Sequence, residues 1–226
     1  MPGATGLTYT RQAGDHPVYV ETATDGNGSR TASADAGATM AVGAAPDTFT
    51  APDGTLLSAY VGESGIGWGA SPNRGVIEAG ALRNLTALGW YLQPRLGDLP
   101  ADQFAEADLV VGTSDQMVSL ALRIGDDMTA GYMILVRASG IQVARRASSG
   151  QTAIIANILG NRMAGTSIRV RFEAEGSALR LYLDGDLLWS GADATFAAGR
   201  AGIVANGTVA SRKGSYITSF HAGELE

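Results

Sequence analysis

Glu173 and Glu175 come closest to a catalytic pair in this chain, two carboxylates one residue apart that would share one face of a strand. Retaining glycoside hydrolysis needs two carboxyl groups about 5–5.5 Å apart, one as nucleophile and one as acid. This pair abuts Gly176-Ser177, which marks a hairpin tip, and solvated turn acids are the simpler reading. Only two histidines are present, His16 and His221, so a Ser-His-Asp relay and a histidine-rich metal site both lack parts. Cysteine is absent, which removes thiol nucleophiles, thiolate zinc sites and disulfides together. Gly65-Ile66-Gly67-Trp68-Gly69 is glycine-rich but lacks the following helix that a phosphate-binding loop requires. The chain therefore reads as no enzyme.

Binding chemistry has more candidates. Sugar recognition uses exposed aromatic faces with polar groups that fix hydroxyls, and Trp68, Trp90, Tyr91 and Trp189 are the available platforms, Trp68 foremost, with Asp126 and Asp127 as loop acids. The competing reading packs Trp68 and Trp189 into a core and lays Trp90 over it beside Leu88 and Leu92. Asp25-Gly26-Asn27-Gly28-Ser29 imitates the start of a calcium loop, but Arg30 stands sixth where glycine belongs and Ala36 twelfth where glutamate belongs. It reads as a turn, and no metal ligand set is assigned. Arg137, Arg145 and Arg146 form the one notable basic grouping, equally consistent with an ordinary solvated sheet face.

The elements that must position these residues are short strands. From Asp47 onward the apolar residues recur with period two: Val118, Leu120, Leu122 and Ile124 against Ser119, Ala121 and Arg123, then Ile168, Val170 and Phe172 against Arg169, Arg171 and Glu173. Tyr132–Arg137 reads as a more fully buried strand, with Ile141–Arg145 following across the Ser139-Gly140 turn. Asp184-Gly185 permits the positive φ angles of a type I′ turn. Strands at 202–205 and 215–220 close the series, the last placed to pair with Asp47–Phe49. Helix is nearly absent, apart from a turn at Ala101–Ala107 after Pro100. With 31 glycines, 45% hydrophobic residues and 226 residues in all, a single large all-β sandwich is the natural size class.

Residues 1–45 differ. Leu7–Thr10 and Val18–Thr22 are strand-like, but an Ala/Gly/Ser/Thr tract follows through Ala45, with few bulky side chains to offset an ordering cost of about 1–2 kcal/mol per residue. Such a segment orders on a surface, its own sandwich or a neighbouring subunit, and the neighbour is the favoured reading. Tyr9, Val18, Tyr19 and Val20 are its docking candidates. The domain division is thus an arm over 1–45 and a sandwich over 46–226.

Asp47-Thr48-Phe49, the Asp53-Gly54-Thr55-Leu56-Leu57 loop, the Leu179–Trp189 hairpin and Gly199-Arg200-Ala201-Gly202-Ile203 together resemble concanavalin A-like (laminin G-like) jelly rolls over residues 47–223. That resemblance implies an all-β, two-sheet antiparallel jelly-roll sandwich carrying an extended N-terminal arm. Copies with this opening are similar to modules of bacteriophage virion proteins, which implies a particle component such as a capsid decoration, head fibre or tail protein. Many relatives hold calcium between the opening acid and an acid before the final aromatic. Here Ser219 precedes Phe220, and no cofactor is assigned.

The leading expectation is a non-enzymatic virion accessory protein, homo-oligomeric, bound to other virion proteins or to copies of itself. The alternative is a carbohydrate-binding module for host-surface glycan, and a glycoside hydrolase comes third. A net charge of −6 argues against nucleic acid and anionic membranes as partners. With no signal-peptide pattern in Met1–Gly6, the chain reads as made in a host cytoplasm and destined for the virion.

Overall fold

A computed structural model describes residues 18–25, 28–35 and 46–225, apart from 64, 70–74, 85–88, 96–98, 114–116, 160–163 and 208–213. For residues 18–25, 28–35, 89–91, 159 and 207 it describes the backbone alone. Two compact units result, one containing an N-terminal hairpin and one spanning Val42–Leu225.

The hairpin pairs β1 (Val18–Asp25) with β2 (Gly28–Asp35) in antiparallel register, Asp25 facing Gly28 at the closed end. Val18, Tyr19 and Val20 lie opposite Asp35, Ala34 and Ser33. Tyr9 and the Leu7–Thr10 run lie outside the described residues. The second strand falls in the Ala/Gly/Ser/Thr tract that has few bulky side chains.

The larger unit is an all-β sandwich. Its strands are β3 (Thr55–Leu56), β4 (Gly75–Glu78), β5 (Ala81–Asn84), β6 (Gly89–Pro94), β7 (Gln103–Val110), β8 (Met117–Ile124), β9 (Gly131–Arg137), β10 (Gly140–Arg146), β11 (Thr152–Leu159), β12 (Ser167–Glu175), β13 (Ala178–Leu183), β14 (Asp186–Ala192), β15 (Arg200–Gly207) and β16 (Tyr216–Glu224). They form a six-stranded sheet, β11-β10-β9-β8-β15-β6, and an eight-stranded sheet, β14-β13-β12-β7-β16-β5-β4-β3. All the strand pairs are antiparallel, as the jelly roll requires. Among the described residues no helix is long and apolar enough to cross a membrane.

The core lies between the sheets. Val118, Leu120, Leu122, Tyr132, Ile134, Val136, Ile141, Val143 and Ile203 on one side meet Ala105, Ala107, Leu109, Ile168, Val170, Phe172 and Leu181 on the other, all buried. Asp184 and Gly185 take φ of 52° and 93°, the two positive angles a type I′ turn demands.

Two sequence expectations give way. Ala101–Ala107 is not a helical turn, because Gln103–Val110 is drawn into the sheet between β12 and β16, where its alternation buries Ala105, Ala107 and Leu109. Tertiary pairing overrides a local signal read from Pro100. On β8, Ile124 does not share the face of Leu122. Arg123 takes φ of 50° and the register with β15 shifts there, so alternation breaks and Ile124 joins the opposite face.

Candidate ligand-binding face

Each sheet has an outer face, and the two differ in chemistry. On the eight-stranded sheet the outer positions form a charge carpet in register rows. Arg180, Glu173 and Phe104 share one row, Tyr182, Arg171, Glu106 and His221 the next, and Arg169, Asp108 and Ser219 a third. Arg169 grips Asp108 through Nε at 2.9 Å and Nη2 at 3.2 Å, and Ser219 donates to Asp108 at 2.7 Å. The Arg169 bonds, more than offsetting burial, hold the Asp108 carboxyl below its usual range. Arg171 lies over the Phe104 ring at 3.8 Å. A shallow groove lined by Asp108, Ser167, Ile168, Arg169 and Asp184 belongs to this carpet.

Glu173 and Glu175 stand at the tip where β12 turns into β13, as their spacing before Gly176 predicts. Their environment is not simple solvation, however. Glu173 is buried, accepting from Arg171 Nε at 2.7 Å with Arg180 Nη1 at 3.8 Å, and Glu175 accepts from Arg180 at 2.6 Å. Packing of the neighbouring arginines over the strand buries an acid that its turn position would expose. Both carboxylates are engaged by arginines.

The six-stranded sheet presents the other face. Its outer positions on β6, β15, β8 and β9 carry a second apolar cluster, Leu92, Val204, Met117, Ala121, Ile124, Met133 and Leu135, with Ala144 of β10, all buried. The open part is the β10–β11 end. There Arg137 Nη1 donates to Gln142 Oε1 at 2.7 Å, and Gln142 Nε2 donates to Asn157 Oδ1 at 2.7 Å, a ladder of planar polar groups across β9, β10 and β11. One step along, Ala144 lies opposite Ile154, which is 44% exposed; a step further, Arg146 lies opposite Thr152. Arg146 Nη1 donates to the Gly150 carbonyl at 2.9 Å. The strip thus offers amides, an aliphatic step, and a guanidinium with a hydroxyl, along roughly 13 Å of strand from Gln142 to Arg146.

The basic trio of the sequence is split by the sheet. Arg145 has the inward parity of Ile141 and Val143 and pairs with Asp193, whose carboxylate also accepts from Thr195 N at 2.8 Å and Tyr132 Oη at 2.9 Å. Arg137 and Arg146 take the outer parity.

The proposed aromatic platforms fare differently. Trp68 is 1% exposed, its ring 4.9 Å from Phe220 and 6.5 Å from Phe49, so it is a core residue and presents no face for a sugar to stack on. The strand bridge Trp68↔Arg95 draws its glycine-rich loop against the sheet and turns the indole inward. Trp90 and Tyr91 lie on β6 opposite Asn206 and Ala205; their side chains are outside the described residues. Asp126 pairs with Arg200 at 2.9 Å, and Asp127 accepts from Thr129 N and Oγ1 at 3.0 and 2.7 Å, which makes a local turn. Among the described residues no cluster of three His, Asp or Glu is placed to hold a metal ion. Asp47, the opening acid, is buried and faces Arg95 Nε at 3.7 Å.

Sequence reasoning missed the Gln142–Asn157 ladder. The available signal was an uncharged amide in the middle of each of two strands, where Asn is ordinarily depleted.

No family model matches the chain, and no curated protein matches it. Solved structures do. The carbohydrate binding module CBM66 from Bacillus subtilis aligns over 82% of this chain and 96% of its own at 16% identity, with a TM-score of 0.51. β-Agarase A from Zobellia galactanivorans aligns over 79% of this chain and 89% of its own at 9% identity and a TM-score of 0.55. β-Agarase B from the same organism gives 79%, 91%, 10% and 0.53. The likeness is one of fold, a jelly-roll β-sandwich.

Proposed function

We propose that the sandwich is a non-catalytic carbohydrate-binding module whose ligand lies along the open β10–β11 end of the six-stranded sheet. The observation that carries this reading is the Arg137–Gln142–Asn157 ladder. Amide groups already oriented by their neighbours can donate and accept at once, which is what a vicinal pair of sugar hydroxyls requires. Ile154 supplies an apolar step beside it. The non-catalytic part rests on the side chains of the same face: the outer positions described on β8 to β11 and β15 include no Asp or Glu, so the face lacks the carboxylates that glycoside hydrolysis uses. A named carbohydrate-binding module and two agarases share the fold, and this raises the standing of glycan over other ligand classes.

The test is a glycan panel on the purified full chain, followed by titration of the best ligand against Gln142→Ala and Asn157→Ala. Each variant is expected to weaken binding about 5- to 10-fold with an unchanged melting curve, the loss of one or two neutral hydrogen bonds. Silence across the panel, or unchanged affinity in both variants, overturns the reading.

A second reading, the anchored building block of a virion, is favoured by one observation. The β1–β2 hairpin forms a unit with its own pairing, and a separate paired element suits strand addition to a neighbour. Removal of residues 1–45 is then expected to leave a folded sandwich that no longer assembles. Assembly of the truncated chain, measured by light scattering, counts against it.

A further inference from the structure

We infer that the ligand of this strip is an acidic glycan, one bearing carboxylate or sulfate groups, and that Arg146 reads its charge; the inference rests on the carbohydrate-binding reading above. The starting point is how the arginines are partnered. On the eight-stranded sheet Arg169, Arg171 and Arg180 each face carboxylates, at 2.9, 2.7 and 2.6 Å. Arg145 and Arg200 are likewise paired, with Asp193 and Asp126. Arg146 differs. Its recorded partners are neutral, the Gly150 carbonyl at 2.9 Å and Thr152 Oγ1 at 3.5 Å, both through Nη1. A guanidinium has five N–H donors in a planar fork, so most of this fork is uncommitted to any carboxylate among the described residues. It is also partly buried, and burial alone, with no acid opposing it, holds it below the usual arginine range.

A half-buried cation without a counter-charge is a cost that a bound anion would remove. The surroundings favour that anion. Gly131, opposite Arg146 on β9, has no side chain to cover the guanidinium. Thr152, opposite on β11, adds a hydroxyl, and the outer positions of β10 and β11 introduce no acid to repel a negative ligand. The protein has a net charge of −6, yet the outer positions described on β10 and β11 carry no acid, so this local positive field stands against the global one. Bidentate guanidinium contact suits carboxylate and sulfate alike.

The experiment uses the full chain and matched probes: polygalacturonate against its methyl-esterified form, and a sulfated galactan against its unsulfated backbone, each titrated at low and high salt. Tighter binding of one charged member, weakening with salt, and a roughly 10- to 100-fold loss in Arg146→Gln support the inference. Which charged member wins separates carboxylate from sulfate. Arg169→Gln, an equal charge change on the opposite sheet, is expected to leave the charged-to-neutral ratio unchanged. Should Arg146→Gln lower the melting point, the salt dependence of the wild-type ratio decides by itself. Equal binding of charged and neutral members overturns the acidic-ligand inference while leaving the carbohydrate reading standing; binding of no member, with an equally silent glycan panel, removes both.

Discussion

Asp47 and Phe220 exchange both of their backbone hydrogen bonds, Asp47 N–H donating to the Phe220 carbonyl at 2.8 Å and Phe220 N–H donating back at 2.9 Å. The start and the end of the sandwich are stitched at this point, with the Phe220 ring against Trp68 and the Asp47 carboxylate against Arg95.

Gly62 lies flush against that carboxylate, so a Cβ there would overlap Asp47 Oδ1. Gly62→Ala is expected to destabilise the fold by about 1–3 kcal/mol, the cost of forcing extra volume into a packed site. Urea unfolding followed by fluorescence measures it. An unchanged midpoint would show that the seam can open without cost.

Trp68→Ala should act on stability before it acts on ligand. Removing a fully buried indole costs about 3–5 kcal/mol, and the variant should lose a blue-shifted component of the tryptophan emission. If the variant melts like the wild type but loses glycan binding, Trp68 is a platform after all.

Glu63 accepts from Thr48 N at 3.0 Å, from Thr48 Oγ1, from Thr50 Oγ1 at 2.8 Å and from Tyr60 Oη at 3.0 Å. Burial raises its pKa, but the Thr48 bonds and their companions outweigh it and bring the value down to about 2. Tyr60 moves the other way, pushed up by burial and then by Glu63. A depressed folded pKa means that Glu63 contributes stability fully above the ordinary carboxylate value of about 4.3, and that this is lost as pH falls toward 2. Unfolding midpoints between pH 2 and 7 should therefore decline less steeply in Glu63→Gln than in the wild type. Parallel curves would refute the linkage.

Arg123 ties three loops at one end of the sandwich. Its Nε and Nη2 donate to the Ala101 carbonyl at 3.1 and 2.9 Å, and its Nη1 donates to Gly176 at 2.7 Å and to Phe196 at 2.8 Å. Its own N–H is held by Gln103 Oε1 at 3.3 Å. Arg123→Ala should cost at least about 3 kcal/mol, because several carbonyls lose their donor together. Arg123→Lys should recover only part, since a point ammonium cannot reach three diverging acceptors. Hydrogen exchange near residues 101, 176 and 196 reports the loosening, and unchanged protection there would exclude the latch.

Local pattern sufficed where the physics is local. Alternation in 168–172, the fully buried run at 132–136, the Asp184-Gly185 turn, and the pairing of the closing strand with Asp47 follow from side-chain pattern and from the φ freedom of particular residues, and the structure has each of them. What the linear chain left open are facts about which faces meet. Trp68 in a glycine-rich loop is the same dipeptide context whether the indole points to solvent or to Phe220; only the bridge to Arg95 decides. The arginines at 137, 145 and 146 read as one basic cluster until the sheet sends Arg145 toward Asp193 and leaves Arg146 outside, with no acid beside it among the described residues. Sequence determined the strands because neighbouring residues set them; tertiary structure decided the site because burial and charge pairing depend on residues far apart in the chain, brought together only when two sheets close.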